Sequence, residues 1–251
     1  LAAEPGTLAQ HVLDGARKAI ASVDLAAHRG VHPRVGALDV APIVYLEAAE
    51  RGAACAEALV LGDMLGSELG LPVFIYGELA QGRTRAELRR GGSGELARRI
   101  DSGELRPDFG PSRPHDTAGA VLVAARPPLI AFNLELEPPA TVEQARAIAA
   151  LIREGGEEGL KGVRAIGLGL ARTGAAQVST NVEDYHATSL AQVIAAVSRH
   201  APIARAELVG LAPQAAFAGF PAELPIPGFD PERHLIERAL ANYRPDPRAD
   251  A

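Results

Sequence analysis

The chain has 251 residues, 47% of them hydrophobic, enough for one large core or two small ones and too apolar for a disordered polymer. Lys and Arg total 25 against 31 Asp and Glu, and the net charge of −6 argues against nucleic acid or an acidic membrane as partner. With no Trp, 4% aromatics and a single Cys, the sequence offers little for base stacking, no internal disulfide and no zinc spacing.

Thr7 to Val23 reads as an amphipathic helix, with Thr7 and Gln10 as a capping box and Leu8, Val12, Ala16, Ile20 and Val23 on one face. A loop follows, Arg29-Gly30-Val31-His32-Pro33-Arg34, and then a strand from Ala37 to Tyr45. Ala53 to Leu69 reads as a helix in which Cys55 is a small core residue rather than a nucleophile. Pro72 to Tyr76 reads as a buried strand, and residues 79 to 106 as a polar, Arg-rich stretch with short helices. Repeated Pro and Gly make 106 to 114 irregular.

Ala118 to Leu136 carries strand signals around the Pro127-Pro128 break. That interruption, with Arg126, also removes the longest apolar run from consideration as a membrane span. Thr141 to Glu154 reads as a helix boxed by Thr141 and Gln144. Val163 to Ala171 and Ala175 to Val182 read as a hairpin turning at Arg172-Thr173-Gly174. Thr188 to His200 is a helix, Ile203 to Leu211 a strand, and Pro231 to Ala241 a helix in the tail. From Ala118 onward the order is β-α-β-β-α-β, that of a ferredoxin-like plait. The first half reads only as α-β-α-β. Either the first half is a different unit or, as we prefer, its opening strands lie upstream of Leu1, and the expected class is then α/β (α+β) with two plait subdomains, the first incomplete at its N-terminus. The boundaries expected are 1–117, 118–220 and a tail of 221–251. A chain opening at Leu1 leads us to expect an absent upstream segment, and the absence of a signal peptide points to the cytoplasm.

Four places could carry chemistry. His32 stands in a Gly- and Pro-bounded loop before a strand, with Arg34 and Asp39 following; an imidazole there suits a proton shuttle. Its bland alternative is a solvated loop histidine. The stretch Asp108 to Gly119 is rich in backbone donors and in Ser112, Arg113, His115, Asp116 and Thr117, as suits a cradle for a planar polar ligand or a carboxylate, or else a linker. Glu78 ends a buried strand, where ligands of α/β proteins gather, and could orient a substrate amine. Gln177, Ser179 and Asn181 alternate along a strand and face either a cleft or water. The lone Gly167-x-Gly169 lacks the third glycine and the following helix of a dinucleotide site. His11, His186, His200 and His234 read as structural or surface residues.

Six stretches in order, HPRVGALDVAP (His32 to Pro42), LPVFIYGE (Leu71 to Glu78), PDFGPS (Pro107 to Ser112), LIAFNLEL (Leu129 to Leu136), AQVSTNVEDY (Ala176 to Tyr185) and ELVGLAP (Glu207 to Pro213), resemble the glutamate formiminotransferase family, folate-dependent enzymes of histidine breakdown. The resemblance implies two plait-like subdomains with folate in a tunnel between them, His32 as the catalytic histidine, and a folate loop of Gly110, Pro111, Ser112, Arg113, Pro114, His115, Asp116, Thr117, Ala118 and Gly119. After Ser112 the family often carries aromatic residues where this chain has Arg113-Pro114-His115-Asp116. The family also opens with a strand bearing Val-Pro-Asn-Phe-Ser-Glu-Gly, which this chain does not show. The implied substrates are N-formimino-L-glutamate and tetrahydrofolate, with Arg34, Glu78, Arg113 and Arg126 as candidates for substrate contact, no metal, and homodimer formation left open. A formyl-transferring relative, acting on formylglutamate or 5-formyltetrahydrofolate, and a folate-binding module with impaired catalysis are the alternatives.

Overall fold

The structure is a computed structural model and describes residues 1–28 and 34–242. The chain divides into two compact units, Leu1–Pro127 and Pro128–Ala251.

The first unit contains α1 (Leu8–Ser22), β1 (Asp39–Val44), α2 (Arg51–Leu69), β2 (Val73–Ile75), α3 (Arg85–Arg89), α4 (Gly92–Asp101) and β3 (Val121–Arg126). Its sheet runs β1-β3-β2 and every pairing is parallel. Parallel neighbours need long crossovers, and those crossovers supply the helices that cover both faces. Val121, Val123 and Ala125 of β3 pack with Leu13 and Ala16 of α1 and Leu61 and Leu65 of α2. Leu122 and Ala124 turn the other way, toward Leu88 of α3 and Leu96 and Ile100 of α4.

Two expectations change here. The strand at 121–126 pairs with β1 and β2, so residues 118–127 lie with the first unit and not with the second. The described strands of this unit also pair in parallel, where a plait pairs its neighbours antiparallel. An apolar run buried on both faces carries no alternation to say which sheet, or which direction, it joins.

The start of α1 differs too. The Thr7 hydroxyl bonds back to the Glu4 carbonyl (2.9 Å) and Gln10 bonds Asp14 (3.1 Å), so the expected capping box does not form. Glu57 of α2, only 8% exposed, accepts the amides of Gly6 and Ala9, both at 2.7 Å. A carboxylate from a neighbouring helix thus satisfies the orphan donors and sits at the positive end of the α1 dipole.

The second unit contains β4 (Ile130–Leu136), α5 (Val142–Ile152), β5 (Val163–Gly169), β6 (Ala176–Val182), α6 (Leu190–Ser198) and β7 (Ile203–Val209), followed by α7 (Pro231–His234) and α8 (Ile236–Ala241). The sheet is antiparallel in the order β5-β6-β4-β7, the plait expected from the sequence. Ile130, Phe132, Leu134 and Leu136 pack with α5 and α6. Both helices open with the capping boxes their sequences spell, Thr141 with Gln144 and Ser189 with Gln192. Gly167 has a packing role: a Cβ there would strike the backbone of Ala145 and Arg146, so the glycine lets α5 lie directly on β5. The helix read as 231–241 is broken at Leu235, which bridges to Ala212 while the Ile236 amide donates to the Ala212 carbonyl (3.0 Å). None of the described helices is long and apolar enough to cross a membrane.

Candidate functional site

The sequence's candidate residues in the first unit fall into two groups, at opposite ends of its sheet. Arg34 precedes β1, and the loop 110–119 precedes β3, so both stand at the amino ends of the parallel strands. Glu78 follows β2 and Arg126 closes β3, so both stand at the carboxyl ends. β3 has six residues, and such a strand is about 20 Å long, which separates the two groups. His32 lies outside the described residues.

At the amino ends the two loops are joined through backbone. Gly36 and Gly119 form an antiparallel bridge, the Ala37 amide donates to the Ala118 carbonyl (2.9 Å) and the Ala120 amide donates to the Val35 carbonyl (3.0 Å). Only glycine fits at the crossing, because a Cβ on Gly36 would collide with the Ala120 carbonyl and one on Gly119 with that of Val35. Asp39 braces the same segment from the strand side. It adopts a left-handed backbone (φ 56°), which a short polar side chain tolerates, and its carboxylate accepts the Val35 amide at 2.8 Å while ion-pairing with Arg89 of α3. Arg34 donates from Nη2 to the carbonyl of His28 at 2.9 Å.

The base of the 110–119 loop is fixed to β2 and α2. Val73 bridges Phe109, and the Asp108 carboxylate accepts the Ile75 amide (2.7 Å) and pairs with Arg83, whose Nε also donates to the Ile75 carbonyl (2.9 Å). Helix α2 offers glycine where the loop arrives. A Cβ on Gly62 would stand 2.9 Å from the Phe109 ring, and one on Gly66 2.6 Å from the Gly110 nitrogen. The span Gly62-x-x-x-Gly66 was visible in the sequence as small-residue spacing, but nothing local says which segment comes to rest on it. The polar tip residues Ser112, Arg113, Asp116 and Thr117 are exposed, Pro111, Pro114 and His115 are half-buried, and Ala118 and Gly119 are buried. Nearby in the core on the far side of the sheet, the Tyr76 hydroxyl is buried with no hydrogen-bond partner.

At the carboxyl ends the chemistry is already engaged. Glu78 is exposed and pairs with Arg51 at 2.6 Å. Burial pushes the Tyr45 hydroxyl above its usual range, and the negative charge of Glu78 raises it further. Arg126 donates from Nη1 to the carbonyl of Pro127 at 3.0 Å.

In the second unit Gln177, Ser179 and Asn181 share one sheet face with Glu135, Asn133 and Ala131, their respective register partners on β4. Thr180 points the other way and donates to the Phe132 carbonyl. On that polar face Asn133 donates to Glu207 (2.8 Å) and Arg205 to Glu135 (2.9 Å), both pairs lying directly across β4 and β7. The Glu135 carboxylate holds the Arg205 guanidinium above its usual range. His200 reaches Glu158 (2.9 Å), His186 packs on Tyr185, and His234 bonds the Asp230 amide (3.0 Å), each a local structural contact. Among the described residues no group of three or more His, Cys, Asp or Glu could hold a metal ion.

Two loops crossing at glycine over the amino ends of a parallel sheet, with exposed polar residues at the tip, mark an α/β protein whose candidate site lies at those strand ends. Residues 1–126 match the formiminotransferase domain, N-terminal subdomain, and residues 131–220 match the formiminotransferase domain. The chain belongs to the formiminotransferase family. It is 34% identical over 238 residues to glutamate formimidoyltransferase of Thermoplasma acidophilum, covering 90% of this chain and 77% of the relative. The glutamate formimidoyltransferase of Streptococcus pyogenes serotype M1 is 31% identical over 229 residues, 87% of this chain and 76% of that protein. The formimidoyltransferase-cyclodeaminase of Mus musculus is 39% identical over 225 residues, 84% of this chain, and the chain spans 41% of that protein's length.

Proposed function

We propose that this chain transfers the formimino group of N-formimino-L-glutamate to N5 of tetrahydrofolate. The observation that carries the reading is the crossing at Gly36 and Gly119, which ties the segment following His32-Pro33-Arg34 to the loop 110–119. These are the two stretches that a folate-dependent formimino transfer needs side by side, one for the proton and one for the pteridine.

In this mechanism the N5 lone pair attacks the formimino carbon and a tetrahedral intermediate forms. His32 takes the N5 proton and then gives it to the departing glutamate amine, after which the carbon–nitrogen bond to glutamate breaks. A single imidazole that titrates near neutrality serves both steps, an effect worth roughly 10²–10⁴-fold. Arg34 and Arg113 are assigned to the substrate carboxylates, since a guanidinium fork matches a carboxylate in two hydrogen bonds. Glu78 and Arg126, at the other end of the sheet, receive no contact with the reacting groups in this reading. The donor specificity is tested by presenting the purified chain with tetrahydrofolate and either formiminoglutamate or formylglutamate. Formation of 5-formiminotetrahydrofolate from the first alone is the expected result. Turnover of the formyl donor alone, or folate binding without turnover of either, overturns the proposal.

A further inference from the structure

The tip of the 110–119 loop closes on a single side chain. His115 and Gly119 exchange both backbone hydrogen bonds, amide to carbonyl in each direction at 2.9 Å, and enclose Asp116, Thr117 and Ala118 in a tight hairpin. Inside that hairpin the amides of Thr117 and Ala118 have no backbone acceptor among the described residues; both donate to Nδ1 of the His115 ring, at 3.3 and 3.1 Å. Three backbone groups beside it are engaged with the neighbouring segments. The Thr117 carbonyl accepts the Leu25 amide (2.8 Å), the Ala118 carbonyl accepts Ala37, and Ala120 donates to Val35. A backbone donor that faces no acceptor is costly where water is excluded, which applies to the buried Ala118 more than to the exposed Thr117, and the ring nitrogen supplies the acceptor.

Two N–H groups can point at Nδ1 only if that nitrogen carries a lone pair. The ring must therefore be neutral with its proton on Nε2. A proton added at Nδ1 would set three N–H groups against one another and remove the acceptor that two of them share. From this geometry we infer that His115 is a positioning residue: as the neutral Nε2–H tautomer it closes the hairpin that docks the loop on Val35–Ala37, and its protonation releases that hairpin. The charged groups on the elements around it are Arg113 and Asp116 on its own loop, Asp24 on the turn leading to Leu25, and Arg34 and Asp39 on the segment beneath. Among the described residues no ion pair joins His115 to any of them. The hairpin should thus loosen on acidification, when Nδ1 takes up a proton and stops accepting. That this loosening weakens folate binding rests on the function proposed above; the opening itself does not.

The test uses the full chain and three forms of position 115. An asparagine carbonyl can accept the same two amides, as it does in Asx-turns, and it does not titrate. Amide hydrogen exchange at Thr117 and Ala118, normalised to Leu122 and Val123 of β3, should lose severalfold protection, at most about tenfold, between pH 7.5 and 5.5 in the native chain. In His115→Asn the protection should hold at both pH values, and in His115→Ala it should be absent at both. Nitrogen-15 shifts of the ring should identify Nδ1 as the unprotonated nitrogen at pH 7.5. A protonated Nδ1 at that pH, or protection in the native chain that ignores pH, overturns the inference even if the alanine variant fails to fold. In the enzymatic arm KM for tetrahydrofolate, taken for each chain relative to its own value at pH 7.5, should rise more on acidification in the native chain than in His115→Asn. If the hairpin opens with pH but KM does not respond, the hairpin device stands and the folate reading of this loop falls.

Discussion

In the first unit β3 sends Val121, Val123 and Ala125 toward α1 and α2 and Leu122 and Ala124 toward α3 and α4, so both sheet faces are sealed by helices. In the second, β4 sends Ile130, Phe132, Leu134 and Leu136 to α5 and α6, and its Asn133 and Glu135 to a face of paired polar side chains. A sheet covered on both faces keeps its polar chemistry for the strand ends. That is where the first unit places its crossed loops. A sheet with one polar face holds polar side chains on the strands themselves, as the rows Glu135–Arg205 and Asn133–Glu207 show. The two units thus differ in where they leave polar side chains, at the strand ends in one and along a sheet face in the other.

The largest effect that should separate the two units is catalytic. His32→Ala is expected to lower kcat by roughly 10²–10⁴-fold while tetrahydrofolate still binds, because proton transfer goes and the loops remain. Steady-state kinetics beside a binding titration would check this, and a near-native kcat would take the chemistry out of the first unit. Phe132→Ala probes the second unit. Its ring is fully buried against α5, α6 and the edge of Phe220, so unfolding in urea should show a loss of about 3–5 kcal/mol. A loss below about 1 kcal/mol would mean that this face is not the core of the unit.

Gly36→Ala addresses the crossing. A methyl group there meets the Ala120 carbonyl, a backbone atom that cannot step aside, and the overpacking should cost roughly 1–3 kcal/mol. Tetrahydrofolate affinity should fall as well, since the loop can no longer seat on Val35–Ala37. Unchanged affinity at reduced stability would reduce the crossing to a structural joint. The smallest effect is expected at Tyr76→Phe. The hydroxyl is buried with no partner, so its removal should leave stability level or raise it by up to about 1 kcal/mol in thermal denaturation. A clear loss would show that the hydroxyl is satisfied in solution.

The second unit was legible because its information is local. Alternation along 130–136 and 176–182, the box Thr141-x-x-Gln144 and the turn at Gly174 each act within a few residues, and together they spell the plait order. The order of the family's stretches was equally a property of the chain. What the sequence left open is whatever depends on residues far apart. The strand at 121–126 could be read, but its membership of the first sheet follows from pairing with residues 39–44 and 73–75. The cap of α1 comes from Glu57, and the seat of Phe109 from Gly62; neither partner is signalled near the residue it serves. Glu78 and Arg126 looked equivalent to Arg34 as charges beside strands, and only the parallel direction of all three strands puts them at the opposite end of the sheet. Local hydrogen bonding and side-chain period fixed the elements from sequence alone, while contacts between distant segments, whose partners no short window contains, decided which of the candidate residues share a site.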